Sequence, residues 1–154
     1  MAISCRSTGG DLTESIHVAF GTAVDKNGQV FFSSGDPHYL TCIRSSLKPF
    51  QAAASIKSGA IDSANFSDKE IALMCASHQG EEDHINTAKS MLEKLNLSVE
   101  DYECGAHLPS NKKVRYDMIQ KEISPTFLHN NCSGKHAGML ALGTYLGKGI
   151  NGYT

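Results

Sequence analysis

No stretch of the 154-residue sequence approaches the ~18 consecutive apolar residues that a membrane span needs. Met1 to Thr13 is polar and lacks the apolar centre of a secretory signal. Charge is scarce as well. Asp, Glu, Lys and Arg make up 19% of the chain, below the ~25% of an average globular protein. Fourteen basic and sixteen acidic residues leave a formal charge of −2. With neither a basic stripe nor an acidic tail, nucleic acid and membranes are not expected partners. The five cysteines (Cys5, Cys42, Cys75, Cys104 and Cys132) stand singly and are odd in number. That is poor material for a disulfide framework, and it reads as the reduced thiols of a soluble cytoplasmic protein. Repeats, low-complexity blocks and linker-like runs of Pro, Gly or Ser are missing too. What is present, 40% hydrophobic residues, sustains the core of a single domain spanning 1–154.

Local patterns place the elements. Ile16–Val24 is rich in β-branched and aromatic residues and reads as a strand. Asn27-Gly28 between apolar runs predicts a hairpin that returns through Val30-Phe31-Phe32. From Ser45 the pattern turns helical, with an Ala-rich helix over Phe50–Ala60. Ser67 and Glu70 form a capping box, with Phe66 and Ile71 at the staple positions. The run Ile71–Ala76 is apolar all round, which predicts burial on every side. Ile85, Ala88, Met91, Leu92 and Leu95 recur at three- and four-residue steps, the stripe of an amphipathic helix. A polar helix is expected over Asn111–Lys121, a last helix over Gly134–Leu146, and a poorly ordered end from Gly147.

Three polar clusters can carry chemistry. In Arg44-Ser45-Ser46-Leu47-Lys48-Pro49, Ser45 and Lys48 share one face of a helical turn, which Pro49 anchors near its start. A serine needs an adjacent base to attack, and a lysine serves when burial or a nearby cation lowers its pKa from ~10.4. The same spacing also suits a capping serine beside a solvated lysine. The second cluster, Ser77-His78-Gln79-Gly80-Glu81, ends a buried helix, where its side chains could face a cleft or merely satisfy the last carbonyls. The third, His129–Gly138, is the densest. Cys132, Lys135 and His136 lie three and four residues apart and can converge on one helix face, at an N-terminus whose dipole favours a thiolate. It is not a phosphate-binding loop: His129 stands where glycine is required, and no Ser or Thr follows Lys135. A four-ligand zinc module from Cys104, His107, Cys132 and His136 has the right composition without finger-like spacing.

In order, RSSLKPFQ (Arg44–Gln51), CASHQGE (Cys75–Glu81), CGAHLP (Cys104–Pro109) and HNNCSGKHAGML (His129–Leu140) resemble the asparaginase II family, the rhizobial type of L-asparaginase. The resemblance runs from about Ile16 to Leu146. It implies an α+β fold like that of serine β-lactamases and penicillin-binding proteins, an antiparallel sheet flanked by helices. It also implies hydrolysis of L-asparagine to L-aspartate and ammonia. By motif, Ser45 resembles the nucleophile, Lys48 its partner and Ser77 a second active-site serine. Arg44, His78, Glu81 and His136 are then expected near substrate. Cys132 and Lys135 are expected to bind zinc, with a homodimer as the candidate assembly. Family members continue beyond this chain's last residue, so it is expected to be the N-terminal portion of an asparaginase domain, with an exposed sheet edge and an open apolar face. On that view the isolated chain could be inert. A penicillin-recognising acylase is disfavoured, because Lys57-Ser58-Gly59 stands in a helix end and not on a late strand.

Overall fold

Asn27-Gly28 closes a hairpin, as its residues predict. In the computed structural model, which describes Met1–Thr154, Asp25 accepts the N–H groups of Asn27 and Gln29 at 2.8 Å each, and Gly28 takes a φ of 80°. The strand expected over Ile16–Val24 is interrupted at Phe20. Its second part, β3 (Gly21–Val24), pairs antiparallel with β4 (Val30–Ser34) in a register that sets Ala23 against Phe32. The first part belongs to β2 (Leu12–Ala19), which pairs antiparallel with β1 (Ile3–Gly9), Ile3 opposite Ala19. This hairpin is absent from the sequence reading.

Two compact units result, Met1–Cys42 and Ile43–Thr154. The α+β class agrees with expectation. The strands, however, form two separate two-stranded sheets and not one helix-flanked sheet. Within the first unit, Phe20 stacks on Tyr39 with ring centroids 4.4 Å apart, while Ile16, Phe31 and Phe32 are exposed.

The second unit is helical. A 3₁₀ turn at Arg44–Leu47 leads into α1 (Lys48–Lys57), with Pro49 in its first turn, where a missing N–H costs nothing. That helix stops short of the expected Ala60, because Gly59 turns left-handed at φ 87° and opens the short α2 (Ala60–Ser63). The predicted capping box starts α3 (Asp68–Cys75): Ser67 N–H donates to Glu70 Oε2 at 2.6 Å. Glu70 is buried and also accepts from Lys94 Nζ at 2.6 Å and Ser90 Oγ at 3.0 Å. Burial opposes the charged form, but Lys94 and Ser67 outweigh it and hold the carboxyl below its usual range. The run Ile71–Ala76 is not buried all round. Leu73 and Met74 face the core, whereas Ala72 is exposed.

The stripe on α4 (Glu82–Lys94) is as predicted, with Ala88, Met91 and Leu92 buried. The polar α5 (Lys112–Gln120) follows, capped by Asn111 Oδ1 on Val114 N–H. The last helix, α6 (Ser133–Tyr145), packs against α1, α2, α3 and α4. Its Gly134 allows this: a Cβ there would lie 2.5 Å from the Leu73 carbonyl oxygen. The end of the chain is held in place, in contrast to its sequence reading. Glu103 accepts from Gly152 N–H at 2.6 Å and Thr154 Oγ1 at 3.0 Å. No helix is long and apolar enough to cross a membrane.

Because the obstacle at Gly134 is backbone, Gly134→Ala must push α6 away from α3. We expect a loss of about 2–3 kcal/mol of stability, an overpacking cost, measured by urea unfolding with the far-ultraviolet spectrum of the native state retained.

Candidate active site

Lys48 lies at the first residue of α1, and its side chain is only 2% exposed. An amine so enclosed requires acceptors. Its Nζ lies 2.8 Å from the Ala76 carbonyl, 2.8 Å from Ser77 Oγ and 3.4 Å from the Asn131 carbonyl. The first two acceptors stand in the turn after α3, the third in the approach to α6. The motif pairs Lys48 with Ser45 and makes Ser77 a second active-site serine, yet Ser77 is the one in hydrogen-bond contact with the amine. The Ser45 hydroxyl makes no hydrogen bond, although the Ser45 carbonyl accepts Lys48 N–H. Ser45 sits instead in a cleft of about 320 Å³ lined also by Arg44, Leu47, Lys48, Gln51, Cys132 and Lys135.

That lining carries Arg44 and two lysines and no carboxylate, so the guanidinium makes the cleft favour an anionic or carboxylate-bearing ligand. Arg44 enters it from a backbone at φ 48°, a left-handed conformation that costs a non-glycine residue on the order of 1–3 kcal/mol.

The other expected substrate contacts are placed elsewhere. His78 is 3% exposed, and both ring nitrogens are engaged within the chain. Nδ1 accepts Gly80 N–H at 3.1 Å, which leaves the proton on Nε2, 2.8 Å from Ser133 Oγ. Burial, then the neighbouring His84, Lys48, His107 and His129, depress its pKa to about 4. Glu81 caps α4 through a reciprocal box with His84, and it accepts from Asn111 Nδ2 at 2.7 Å. His136 turns its buried ring to Tyr153, whose hydroxyl lies 2.9 Å from Nδ1. Neither Glu81 nor His136 lines the cleft.

The proposed metal ligands, Cys132 and Lys135, do line the cleft together, one turn apart at the start of α6. A thiolate and an amine are donors that zinc accepts, and they amount to half of a tetrahedral set. The four-ligand module is not assembled: no group of three or more Cys, His, Asp or Glu side chains is placed to hold a metal ion. Burial pushes the Cys104 thiol up to about 11.

Two residues passed over in the sequence shape the site. Asn131 offers its carbonyl both to Lys48 and, at 3.1 Å, to His78 N–H. Asn130 donates to the Cys104 carbonyl at 2.7 Å and accepts Cys132 N–H at 2.8 Å. The available signal was the Asn-Asn pair just before a helix start, a position at which such side chains bond backbone groups.

The L-asparaginase II family model matches residues 5–154. The chain belongs to the L-asparaginase II family. No curated protein gives a significant match. Membership extends the resemblance of the four motifs to essentially the whole sequence, the first hairpin included.

The depressed pKa of His78 has a consequence for an L-asparaginase II chain at low pH. Unfolding frees the ring to take up a proton at its ordinary pKa of 6.5, whereas the folded ring resists until about 4. His78 thus contributes fully above pH 6.5, and stability falls as pH drops through that window, by up to ~1.4 kcal/mol per pH unit. Urea unfolding followed from neutral pH downward should show this slope added to that of His136, which burial likewise depresses to about 4, and His78→Gln should remove only the His78 share.

Proposed function

We propose that this member of the family hydrolyses the side-chain amide of L-asparagine to L-aspartate and ammonia. The observation that carries the reading is the buried Lys48 amine, hydrogen-bonded to Ser77 Oγ and lining one cleft with Ser45. As a base, Lys48 must be unprotonated. Its two N–H groups then go to the carbonyls of Ala76 and Asn131, and its lone pair is left for a hydroxyl.

In this reading Ser45 Oγ attacks the carboxamide carbon and passes its proton to Lys48. Lys48 returns the proton to the departing ammonia, and water then repeats the sequence to release aspartate. Arg44 holds the α-carboxylate. Ser77 keeps the amine in place at rest through its 2.8 Å bond and must yield the lone pair to Ser45 before attack. That same bond favours a second assignment, in which Ser77 is the attacking hydroxyl, since nucleophile and base normally lie within hydrogen-bond reach.

Cys132 and Lys135 would hold a zinc ion, and the ion when bound supplies Lewis-acid charge beside the cleft. The serine β-lactamase likeness that the motif resemblance implies would support the Ser-x-x-Lys chemistry by analogy. We place the chain among soluble cytoplasmic proteins on its unpaired thiols.

Two measurements decide the chemistry. Lys48→Met should abolish ammonia release from L-asparagine. Ser45→Ala should do the same and leave no acyl-enzyme to trap, whereas Ser77→Ala should only slow turnover; the reverse pattern would give the nucleophilic role to Ser77. For the metal, Cys132→Ser should lower the zinc bound per chain after dialysis, read by elemental analysis, and an unchanged content would remove Cys132 from the ligand set.

A further inference from the structure

His78 touches neither the cleft nor any free surface, yet it sits between the two parts of the chain that hold Lys48. Its own N–H is bound to the Asn131 carbonyl at 3.1 Å, the same carbonyl that takes the Lys48 amine at 3.4 Å. The imidazole extends this link with a directional chain. Gly80 N–H donates to Nδ1 at 3.1 Å, Nε2–H then donates to Ser133 Oγ at 2.8 Å, and Ser133 Oγ–H donates to the Leu128 carbonyl at 3.3 Å. Each group has one role, and none is left over. Ser133 is fully buried, and as the first residue of α6 it follows Cys132 directly.

We propose that His78 and Ser133 form a positioning pair, which clamps the turn carrying Ala76 and Ser77 onto the start of α6 and thereby keeps Ser77 Oγ on the Lys48 amine. The inference rests on the asparaginase reading for its effect on turnover, but not for its effect on Lys48. His78 is accordingly a positioning residue and not a substrate ligand. The directionality makes the clamp specific: only a side chain that donates from the Nε2 position reaches Ser133, and only one that accepts at the Nδ1 position reaches Gly80.

Two substitutions separate the halves of the clamp in the full chain. His78→Gln places an amide N–H where Nε2 was and keeps the Ser133 bond. His78→Asn places an acceptor where Nδ1 was and keeps only the Gly80 bond. Ser133→Ala removes the shared hydroxyl with little change in volume. One readout is independent of activity: the rate at which Lys48 is reductively methylated, followed by peptide mass spectrometry.

We expect slow methylation of Lys48 in the native protein and in His78→Gln, and about tenfold faster methylation in His78→Asn and Ser133→Ala. The double variant His78→Asn/Ser133→Ala should be no worse than either single one, as for residues that share one interaction. With L-asparagine as substrate, kcat should fall roughly ten- to hundredfold in the same variants, the effect of a small misplacement at a reacting centre, while KM stays within about twofold. Unchanged Lys48 protection in both His78→Asn and Ser133→Ala would overturn the proposal. So would a raised KM at constant kcat, because that marks a substrate ligand. Absence of ammonia release from the native chain would sink the asparaginase reading alone, since the methylation rates still decide the clamp.

Discussion

Burying a lysine amine is unfavourable unless every proton or lone pair on it finds a partner, and this constraint organises the helical unit. Lys48 is enclosed because three polar partners close around it, the Ala76 carbonyl and Ser77 hydroxyl from the turn after α3 and the Asn131 carbonyl from the segment before α6. Those segments are far apart in sequence. They meet because α6 lies directly against α3, at a separation that only a glycine at 134 permits. The close approach of two helices therefore comes before the chemistry. Core packing decides where the carbonyls of Ala76 and Asn131 stand, and the carbonyls decide where the amine can rest.

The parts of this arrangement that depend on short-range rules are legible in the sequence. The Ser67–Glu70 box, the stripe on α4 and the Asn27-Gly28 turn each follow from neighbours within a few residues, and each forms as its pattern implies. The first hairpin is illegible for the opposite reason. Its strands bury no face, and alternation is confined to Ile3-Ser4-Cys5-Arg6 and Ile16-His17-Val18, too short to mark a pair of strands. The end of the chain misleads in a similar way. Glycines suggest disorder, but Glu103 and Tyr153 supply hydrogen bonds that no local pattern records. At the site, the motifs bring Ser45, Lys48, Cys132 and Lys135 to one cleft. What they do not contain is the choice of hydroxyl: the spacing pairs Lys48 with Ser45, while packing of α3 against α6 gives it Ser77.

The start of α6 shows most clearly how a spacing can be read correctly and still place a residue wrongly. Residues three and four positions after Cys132 both lie near its face of the helix, which suggests a single converging group. At ~100° per residue, however, those two positions fall on opposite sides of Cys132, about 100° apart from each other. Lys135 accordingly turns into the cleft with Cys132, whereas His136 turns to Tyr153 and the edge of Tyr102. Ser133, one step from Cys132, faces a third direction and meets His78. Four consecutive residues, Ser133 to His136, thus serve four surroundings: a buried clamp, a helix contact, a cleft and an aromatic pocket. A motif this dense is accounted for by the helix repeat. Each position answers to a different neighbour, but the surroundings are coupled, because Ser133 and Gly134 set how α6 meets α3 and through it where the Lys48 amine rests.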